Sequence, residues 1–288
     1  MIRDPRSQGM QIDKVTFNDI SIFHAEEEFS VFNKLNFTKT FGGKEWLRRF
    51  FSEPHSDLKH ILGTQNIIKI LLSHLDDWPT DITNGTVLMI DKFLDYNLDP
   101  VPQHPNLFNS FTYTIVHKED YSMVKFSVKH FADFYRGLKK LLYLFSGAEL
   151  SVNLSFYLER IVDVLKEEPI QRLANAPADL EFTPEDNLYF AFHMRNRFKR
   201  ATLELIDIYS RFEAWYSMAM AVKTYDLKFP DFVEQDEPFL EAQGLYHVLL
   251  PTPVAYDFSL DQGNNFLFLT GANMAGKSTL IKAVGSSV

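Results

Sequence analysis

Apolar residues recur at intervals of three and four through most of the first 225 positions, which is the spacing of one face of an α-helix. The period is clear over residues 58–72, 120–144 and 151–165, and prolines and glycines interrupt it between these stretches. A polar segment of residues 1–30 comes first. The pattern therefore predicts an N-terminal segment over residues 1–30 and a helical domain over residues 31–225.

The longest uninterrupted pattern begins at Thr183. Thr183 is a favoured N-cap residue, Pro184 is favoured at the first helical position, and Asp186 is the acidic residue three after the cap. No proline or glycine follows until Pro230. The sequence predicts a single helix from Pro184 to Thr224, which would be about 60 Å long at ~1.5 Å per residue.

The composition changes after residue 225, where prolines and glycines separate short apolar pieces. The pieces at 239–242, 246–250 and 257–260 are predicted as β-strands. Residues 265–270 form a continuous apolar run, typical of a strand that is buried on both faces of a sheet. Residues 226–288 are thus predicted as an α/β part, and the fold class is mainly α with a C-terminal α/β part.

Composition and charge narrow the class of protein. The chain of 288 residues has no cysteine, which excludes disulfides and thiolate metal sites, and its longest apolar runs are short for a bilayer span. We expect a cytoplasmic protein without a membrane segment. The formal net charge of −9 argues against a protein that coats nucleic acid by bulk electrostatics. The nine histidines show no metal-ligand spacing.

The stretch TGANMAGKST, residues 270–279, carries the clearest chemistry. It satisfies G-x-x-x-x-G-K-[ST] between a predicted strand and a predicted helix, which is the context of a phosphate-binding loop. Its glycines let successive backbone N–H groups turn toward one anion, and the helix N-terminus adds to that field. Lys277 is expected to reach the β- and γ-phosphates of ATP and Ser278 to ligate Mg²⁺. The predicted site comprises Gly271, Ala272, Asn273, Met274, Ala275, Gly276, Lys277, Ser278 and Thr279.

This loop, with Asn273 and Met274 between its glycines, resembles the phosphate-binding loop of the MutS family of DNA mismatch-repair ATPases. Residues 33–43 followed by 47–54 look like the core-domain segment of that family, and residues 253–260 are similar to its segment before the loop strand. The predicted long helix resembles the lever that joins the core to the ATPase domain. The resemblance implies a helical core and lever followed by the beginning of a P-loop NTPase domain.

Several functional expectations come from this resemblance. It implies DNA mismatch repair or related DNA repair or recombination, with ATP and Mg²⁺ coupled through the lever to DNA binding. It also implies a homodimer through the complete ATPase domain. The acidic Mg²⁺ ligand and the water-positioning group of the family would lie beyond Val288, so we expect an incomplete ATPase that does not hydrolyse ATP alone.

The chain departs from the family in ways that bear on recognition. It has no N-terminal domain with a Phe-x-Glu wedge, and the span before the lever leaves little room for the family's DNA clamp. The Arg-His-Pro motif is present only as Leu245-Tyr-His-Val248, and Pro253 stands where an aromatic ring usually stacks on adenine. These departures argue against mismatch recognition by this chain. They also leave open whether the chain recognises the adenine base of a nucleotide.

The densest basic patch consists of Arg195, Arg197, Lys199 and Arg200. It is compatible with contacts to DNA phosphates, but the acidic composition of the chain favours a solvated helix face that alternates with core aromatics. The pair Gly42-Gly43 is predicted to set a helix entry. The alternative function for the whole chain is a non-catalytic helical interaction module with a vestigial nucleotide loop.

Overall fold

A computed structural model of the protein describes residues 14–272 and 276–287. The described chain is mainly helical with one small two-stranded sheet, which confirms the predominance of α-structure. The helices are α1 (Lys14–Asp19), α2 (Val31–Lys34), α3 (Phe41–Ser52), α4 (Leu58–Leu72), α5 (Asn84–Asp95), α6 (Leu107–Val116), α7 (Lys118–Leu144), α8 (Val152–Leu165), α9 (Glu168–Asn175), α10 (Pro184–Asn196), α11 (Lys199–Tyr225) and α12 (Lys277–Ser287). The strands are β1 (Leu240–Leu245) and β2 (Tyr256–Leu260), and short 3₁₀ turns lie at Glu27–Phe29 and Leu75–Asp77.

The chain divides into two compact units. The helical unit consists of Thr38–Leu47 and Leu62–Ala219. The second unit, which we call the mixed unit, consists of the described parts of Met1–Phe37, Arg48–Ile61 and Met220–Val288. Helices α3, α4 and α11 contribute residues to both units. The boundary near residue 225 stays a prediction from composition.

Helix α7 is the centre of the helical unit and packs against α5, α6, α8, α9 and α10. Its fully buried side chains keep the predicted helical spacing, because Val124, Val128, Phe131, Tyr135 and Leu138 lie on one face. The Phe131 ring packs edge-on against Phe93 at a centroid distance of 5.5 Å. The Tyr135 hydroxyl lies 2.7 Å from Oγ1 of Thr202 in α11. A continuous apolar core therefore joins the helices that flank α7.

The predicted single helix from Pro184 to Thr224 is wrong, because α10 and α11 are separate. The backbone N–H groups of Arg197 and Phe198 both donate to the carbonyl of His193, at 2.9 and 3.0 Å, which widens the last turn and ends α10. The Phe198 ring is buried, and Arg197 pairs with Glu167 at 2.7 Å. Periodicity does not reveal this interruption, because the apolar spacing continues on both sides without proline or glycine. The predicted N-cap is confirmed, since Thr183 accepts the N–H of Asp186.

The sheet is smaller than predicted. β1 and β2 pair antiparallel with Leu240 opposite Leu260 and Ala242 opposite Phe258. β2 includes the whole predicted piece 257–260, and β1 includes all but the first residue of the predicted piece 239–242. The pieces 246–250 and 265–270 are not strands, so those two predictions are wrong.

The apolar run 265–270 shows why a segment with the composition of a strand does not form one here. Phe266 and Phe268 are 79% and 78% exposed. A strand needs a neighbour to complete its hydrogen bonds, and no segment within the described residues pairs with this run. The described residues therefore do not confirm the predicted start of a P-loop NTPase domain.

Helix α3 starts close against α11 inside the helical unit. The pair Gly42-Gly43 lies in its first turn, as predicted for a helix entry. A Cβ atom added to Gly43 would overlap the carboxylate of Glu213, with Cδ only 2.7 Å away, and one added to Gly42 would overlap the side chain of Ser210. The two glycines thus permit a backbone approach that any side chain would block.

No helix in the described residues combines the length and apolar character that crossing a membrane requires.

Candidate nucleotide-binding site

The phosphate-loop residues lie in the mixed unit, at the start of α12. Gly271 and Ala272 belong to an exposed, irregular segment, and Lys277 is the first residue of the helix. Gly276 precedes it with φ +84°, a backbone conformation that favours glycine. The remaining predicted loop residues, Asn273, Met274 and Ala275, lie outside the described residues.

Lys277 connects the two ends of the loop. Its Nζ donates to the carbonyl oxygens of Gly271 and Ala272, each at 2.6 Å. The ammonium group is thus held beside the helix start rather than extended into solvent. The Gly271 and Ala272 carbonyl oxygens therefore occupy donors of the ammonium group that could otherwise bind an anion.

The start of α12 also offers backbone donors. The first hydrogen bond of the helix runs from Leu280 N to the Gly276 carbonyl at 3.0 Å, so the N–H groups of residues 277–279 precede it. Such amides, together with the positive end of the helix dipole, attract an anion. Ser278 is exposed at the same turn. The described part of the loop thus places backbone donors and one hydroxyl group at the same helix start.

A cavity of about 350 Å³ lies alongside this helix start. Its walls come from the N-terminal segment, the stretch after β1 and the first two turns of α12, all within the mixed unit. The lining residues are Ser21, His24, Phe29, His247, Leu249, Leu250, Ser278, Thr279 and Lys282.

His247 and Ser21 are the buried polar residues in the lining of this cavity, and His247 has only 6% of its surface exposed. Its Nδ1 accepts the N–H of Leu249 at 3.2 Å, and its Nε2 has no hydrogen-bond partner among the described residues. Burial lowers the pKa of His247, and the nearby charge of Lys282 lowers it further. The imidazole is therefore neutral near pH 7, and because Nδ1 accepts, the proton is on Nε2.

Lys282 is oriented by the N-terminal segment. Its Nζ donates to the Oγ of Ser21 at 3.0 Å. One turn further along the same face of α12, a Cβ atom on Gly285 would lie 2.9 Å from Cγ2 of Ile20, so the segment packs closely on this helix. The sequence predicted residues 1–30 only as a separate polar segment and did not reveal that its described part borders the loop helix.

Most of the predicted DNA-contacting patch makes contacts within the helical unit. Arg195 donates to the carbonyl oxygens of Phe93 and Tyr96 at 3.2 and 2.7 Å. Lys199 donates to the Leu94 carbonyl at 2.9 Å, and it pairs with a neighbouring aspartate in α5. Arg197 forms the ion pair described above. Arg200 is exposed. These contacts support the structural interpretation for three of the four side chains, and a DNA role for them stays a prediction.

A second group of polar side chains lies in the helical unit. Ligand atoms of Asp99, His117 and Asp120 lie within 4.8 Å of one another. His117 Nδ1 is 2.7 Å from Asp99 Oδ2, and Asp120 accepts the backbone N–H of Asp99 at 2.9 Å. These internal hydrogen bonds account for the geometry of the group without a metal ion. The residues come from a loop and a helix start, so sequence spacing could not reveal them.

Part of the chain is similar in sequence to MutS2 proteins. No protein-family model matches the chain. It is 30% identical over 89 residues to the DNA-binding protein MutS2 of Pyrococcus furiosus, covering 28% of this chain and 16% of that protein. It is 32% identical over 87 residues to the Endonuclease MutS2 of Thermus thermophilus, covering 30% of this chain and 11% of that protein. These matches indicate a distant relationship to MutS-type proteins over less than a third of the chain.

Proposed function

We propose that this chain is part of a MutS-related, ATP-dependent DNA-binding protein of DNA repair or recombination. In this proposal, residues 271–279 bind ATP with Mg²⁺. The observation that carries it is the position of the Lys277 ammonium group, which joins both ends of the loop at the N-terminus of α12. The similarity to two MutS2 proteins supports the family assignment.

The residues of the site have distinct roles in this proposal. Lys277 offsets the charge of the β- and γ-phosphates, and the amides at the start of α12 donate to phosphate oxygens. The exposed hydroxyl of Ser278 ligates Mg²⁺. When bound, the nucleotide supplies the binding free energy that distinguishes two states of the whole protein.

DNA is the proposed partner of the whole protein. One of the two MutS2 relatives is a DNA-binding protein by name and the other an endonuclease. Helix α11 contributes residues to both units and continues toward the nucleotide-binding part of the chain, so it takes the role of the lever. The separate α10 removes the first third of the lever predicted from the sequence. Dimerisation through a complete ATPase domain belongs to the same proposal.

Replacement of Lys277 by alanine tests nucleotide binding. We expect the Kd for a fluorescent ATP analogue with Mg²⁺ to rise by about 10- to 100-fold, because a charge-assisted contact to phosphate is lost. Fluorescence anisotropy of the analogue measures the Kd. Lys59→Ala, at an exposed lysine of α4, is the matched control and should bind as the unmodified chain does. Equal affinity in the two variants would contradict the phosphate-loop assignment.

The DNA part of the proposal predicts salt-dependent binding. We expect duplex or branched DNA to be retarded in gel-shift assays at low salt, with affinity falling as the salt concentration rises. Arg200→Ala should make the slope of log K against log[salt] shallower by about 1 if this exposed arginine contacts a phosphate. Arg197→Ala is the comparison, because Arg197 is already paired with Glu167. No retardation of any DNA by the chain at low salt would count against direct DNA contacts here.

A helical interaction module is the second candidate function, and one feature of the helical unit favours it. Helix α6 exposes a face of large apolar side chains that lie three and four residues apart. Its members are Leu107, Phe108, Phe111 and Ile115, each more than 60% exposed. Contiguous apolar surface of this kind marks interaction sites. Failure of the unmodified chain to bind the ATP analogue would favour this candidate over the first.

A further inference from the structure

Helix α6 has two different faces within the helical unit. One face packs against α7 and α10 and includes the buried side chain of Tyr113. The other face is apolar, and the exposed fractions of its side chains are 81% for Leu107, 82% for Phe108, 65% for Phe111 and 61% for Ile115. Large apolar side chains grouped in this way are typical of a surface that another molecule covers.

The polar groups of α6 do not oppose burial of this face. The helix has no charged residue, although 23% of the residues of the chain are charged. The hydroxyl of Thr112 donates to the Phe108 carbonyl at 2.9 Å, and that of Thr114 donates to the Phe111 carbonyl at 2.7 Å. Both hydroxyl protons therefore keep their acceptors when water is excluded. Burial of the face costs little polar desolvation and gains the transfer of its apolar side chains.

The spacing of the exposed apolar residues is symmetric about Phe111. Leu107 lies four residues before Phe111, and Ile115 lies four residues after it, so the three side chains share one stripe of the helix. If two such helices pack antiparallel with their Phe111 side chains opposite each other, Leu107 of each copy meets Ile115 of the other. Each of the three residues then has an apolar partner. The stripe is thus complementary to itself, as a twofold interface requires.

The charges at the two ends of α6 also suit an antiparallel pair. Asp99 and Asp120 lie at the C-terminal end, because Asp99 accepts a hydrogen bond from the C-cap residue His117 at 2.7 Å and Asp120 accepts the backbone N–H of Asp99. Residues 100–106, which lead into the N-terminal end, include no carboxylate. An antiparallel pair places the acidic end of each helix beside the N-terminus of the other, where the helix dipole favours negative charge. A parallel pair would instead bring the two acidic ends together.

The area of the exposed face is sufficient for a weak but specific dimer. A phenylalanine side chain buries roughly 150–250 Å², so the four exposed side chains supply on the order of 500 Å² from each copy. The total for two copies is then about 1,000 Å², which is the lower limit for a specific interface. An interface of this size is typical of a dimer that forms and dissociates at micromolar concentrations.

We propose that two copies of this chain form a dimer through α6, with the two helices packed antiparallel and Phe111 of each copy at the twofold axis. The proposal does not rest on nucleotide or DNA binding, and it names the partner that an interaction module would bind. It is also separate from dimerisation through a complete ATPase domain, because α6 belongs to the helical unit. The dimer therefore forms without nucleotide.

Analytical ultracentrifugation of the 288-residue chain, without nucleotide or DNA, tests the dimer. We expect the unmodified chain to change from monomer to dimer as its concentration rises through the micromolar range. Phe111→Glu should raise the Kd of the dimer by about 100-fold or more, because two like charges would meet at the axis. Phe111→Lys should have the same effect. Both variants replace an exposed side chain with a good helix former, and circular dichroism verifies that they fold.

An equimolar mixture of Phe111→Glu and Phe111→Lys tests the antiparallel arrangement. Each variant alone should be monomeric, whereas the mixture should form a heterodimer, since opposite charges then meet at the axis. Phe156→Glu is the matched control, because Phe156 is also an exposed phenylalanine of the helical unit but lies in α8, which packs against α7 and α9. The control should form dimers as the unmodified chain does.

Three results would overturn the α6 dimer. An unmodified chain that stays monomeric at every concentration leaves the face of α6 to a different protein. A dimer that persists unchanged in Phe111→Glu, or that Phe156→Glu weakens as much, does not depend on this contact. Two monomeric variants that fail to associate when mixed show that Phe111 does not lie at a twofold axis. None of these results affects nucleotide binding at residues 271–279, which the fluorescent ATP analogue measures separately.

Discussion

Replacing Gly43 with alanine lowers the free energy of unfolding by about 3 kcal/mol, as expected for a side chain forced into a closely packed, buried contact. The added Cβ would overlap the Glu213 carboxylate, which is 1% exposed and has little room to move. Relief of the overlap requires either separation of α3 from α11 or loss of the hydrogen bonds that Glu213 accepts. Urea denaturation followed by circular dichroism measures the change.

Gly85→Ala is the matched control for this substitution. Gly85 is also near the start of a helix, but a Cβ atom there would meet only Thr83 Oγ1, at 3.6 Å. We expect it to be neutral or to stabilise the protein by about 0.5 to 1 kcal/mol, because alanine loses less backbone entropy on folding than glycine. If Gly43→Ala were as well tolerated as Gly85→Ala, the close approach of α3 and α11 would be wrong.

Replacing Glu213 with alanine is expected to lower the free energy of unfolding by about 4 kcal/mol, because it leaves several buried donors without an acceptor. The carboxylate accepts the backbone N–H groups of Lys39 and Thr40 at 2.7 and 3.1 Å, and also the Thr40 hydroxyl. The Thr40 oxygen in turn accepts the N–H of Gly43 at 3.0 Å. A side chain of α11 thus caps the N-terminus of α3, where a negative charge is favourable.

Urea denaturation of Glu213→Ala and of Glu45→Ala gives the measurement and its control. Glu45 is an exposed glutamate of α3, so its truncation should change the free energy of unfolding by less than about 0.5 kcal/mol. The two sites Gly43 and Glu213 should also be coupled, since alanine at 213 removes the atoms that alanine at 43 would overlap. Strict additivity in the double variant would contradict the direct contact.

The same carboxylate makes a pH-dependent contribution to stability. Burial raises the pKa of Glu213 above its ordinary value of 4.5, although its hydrogen bonds to Thr40 and Lys39 act in the opposite direction. A raised folded-state pKa means that the folded protein holds the proton more tightly than the unfolded chain does. The contribution is therefore complete below pH 4.5 and is lost as the pH rises through the folded-state pKa.

Glu213→Gln removes this titration and serves as the reference. We expect the stability of the unmodified chain relative to Glu213→Gln to fall as the pH rises above 4.5, because only the unmodified chain has the raised glutamate pKa. Urea denaturation of both proteins across this range gives the difference. A difference that stays constant with pH would show that Glu213 does not titrate with a raised pKa.

Prediction from sequence succeeded where local chemistry decides the structure. The helical spacing located α7 and α8, and Thr183 with Pro184 marked the start of α10. The loop motif placed Lys277 at the beginning of a helix, because glycines and a following apolar period define that transition locally. The chemistry of nucleotide binding at this loop stays a prediction.

Prediction from sequence failed where the structure depends on contacts between residues that are far apart in the chain. The break at Arg197 coincides with a contact to Glu167 and with burial of Phe198, neither of which periodicity encodes. The apolar run 265–270 has the composition of a buried strand, yet composition does not specify a pairing partner, and the run is exposed. His247 was noted only as part of an incomplete motif, because its burial and its missing acceptor depend on packing.

The sequence by itself determined the local elements of this protein: most helices, one N-cap, and a glycine-lysine loop at a helix start. Each depends on neighbouring residues, whose spacing and side-chain chemistry can be read directly. Only the tertiary structure decided which side chains meet across long separations, such as Glu213 with Thr40 and Lys282 with Ser21. These contacts depend on how the chain packs in space, and packing joins residues whose relation no local pattern records.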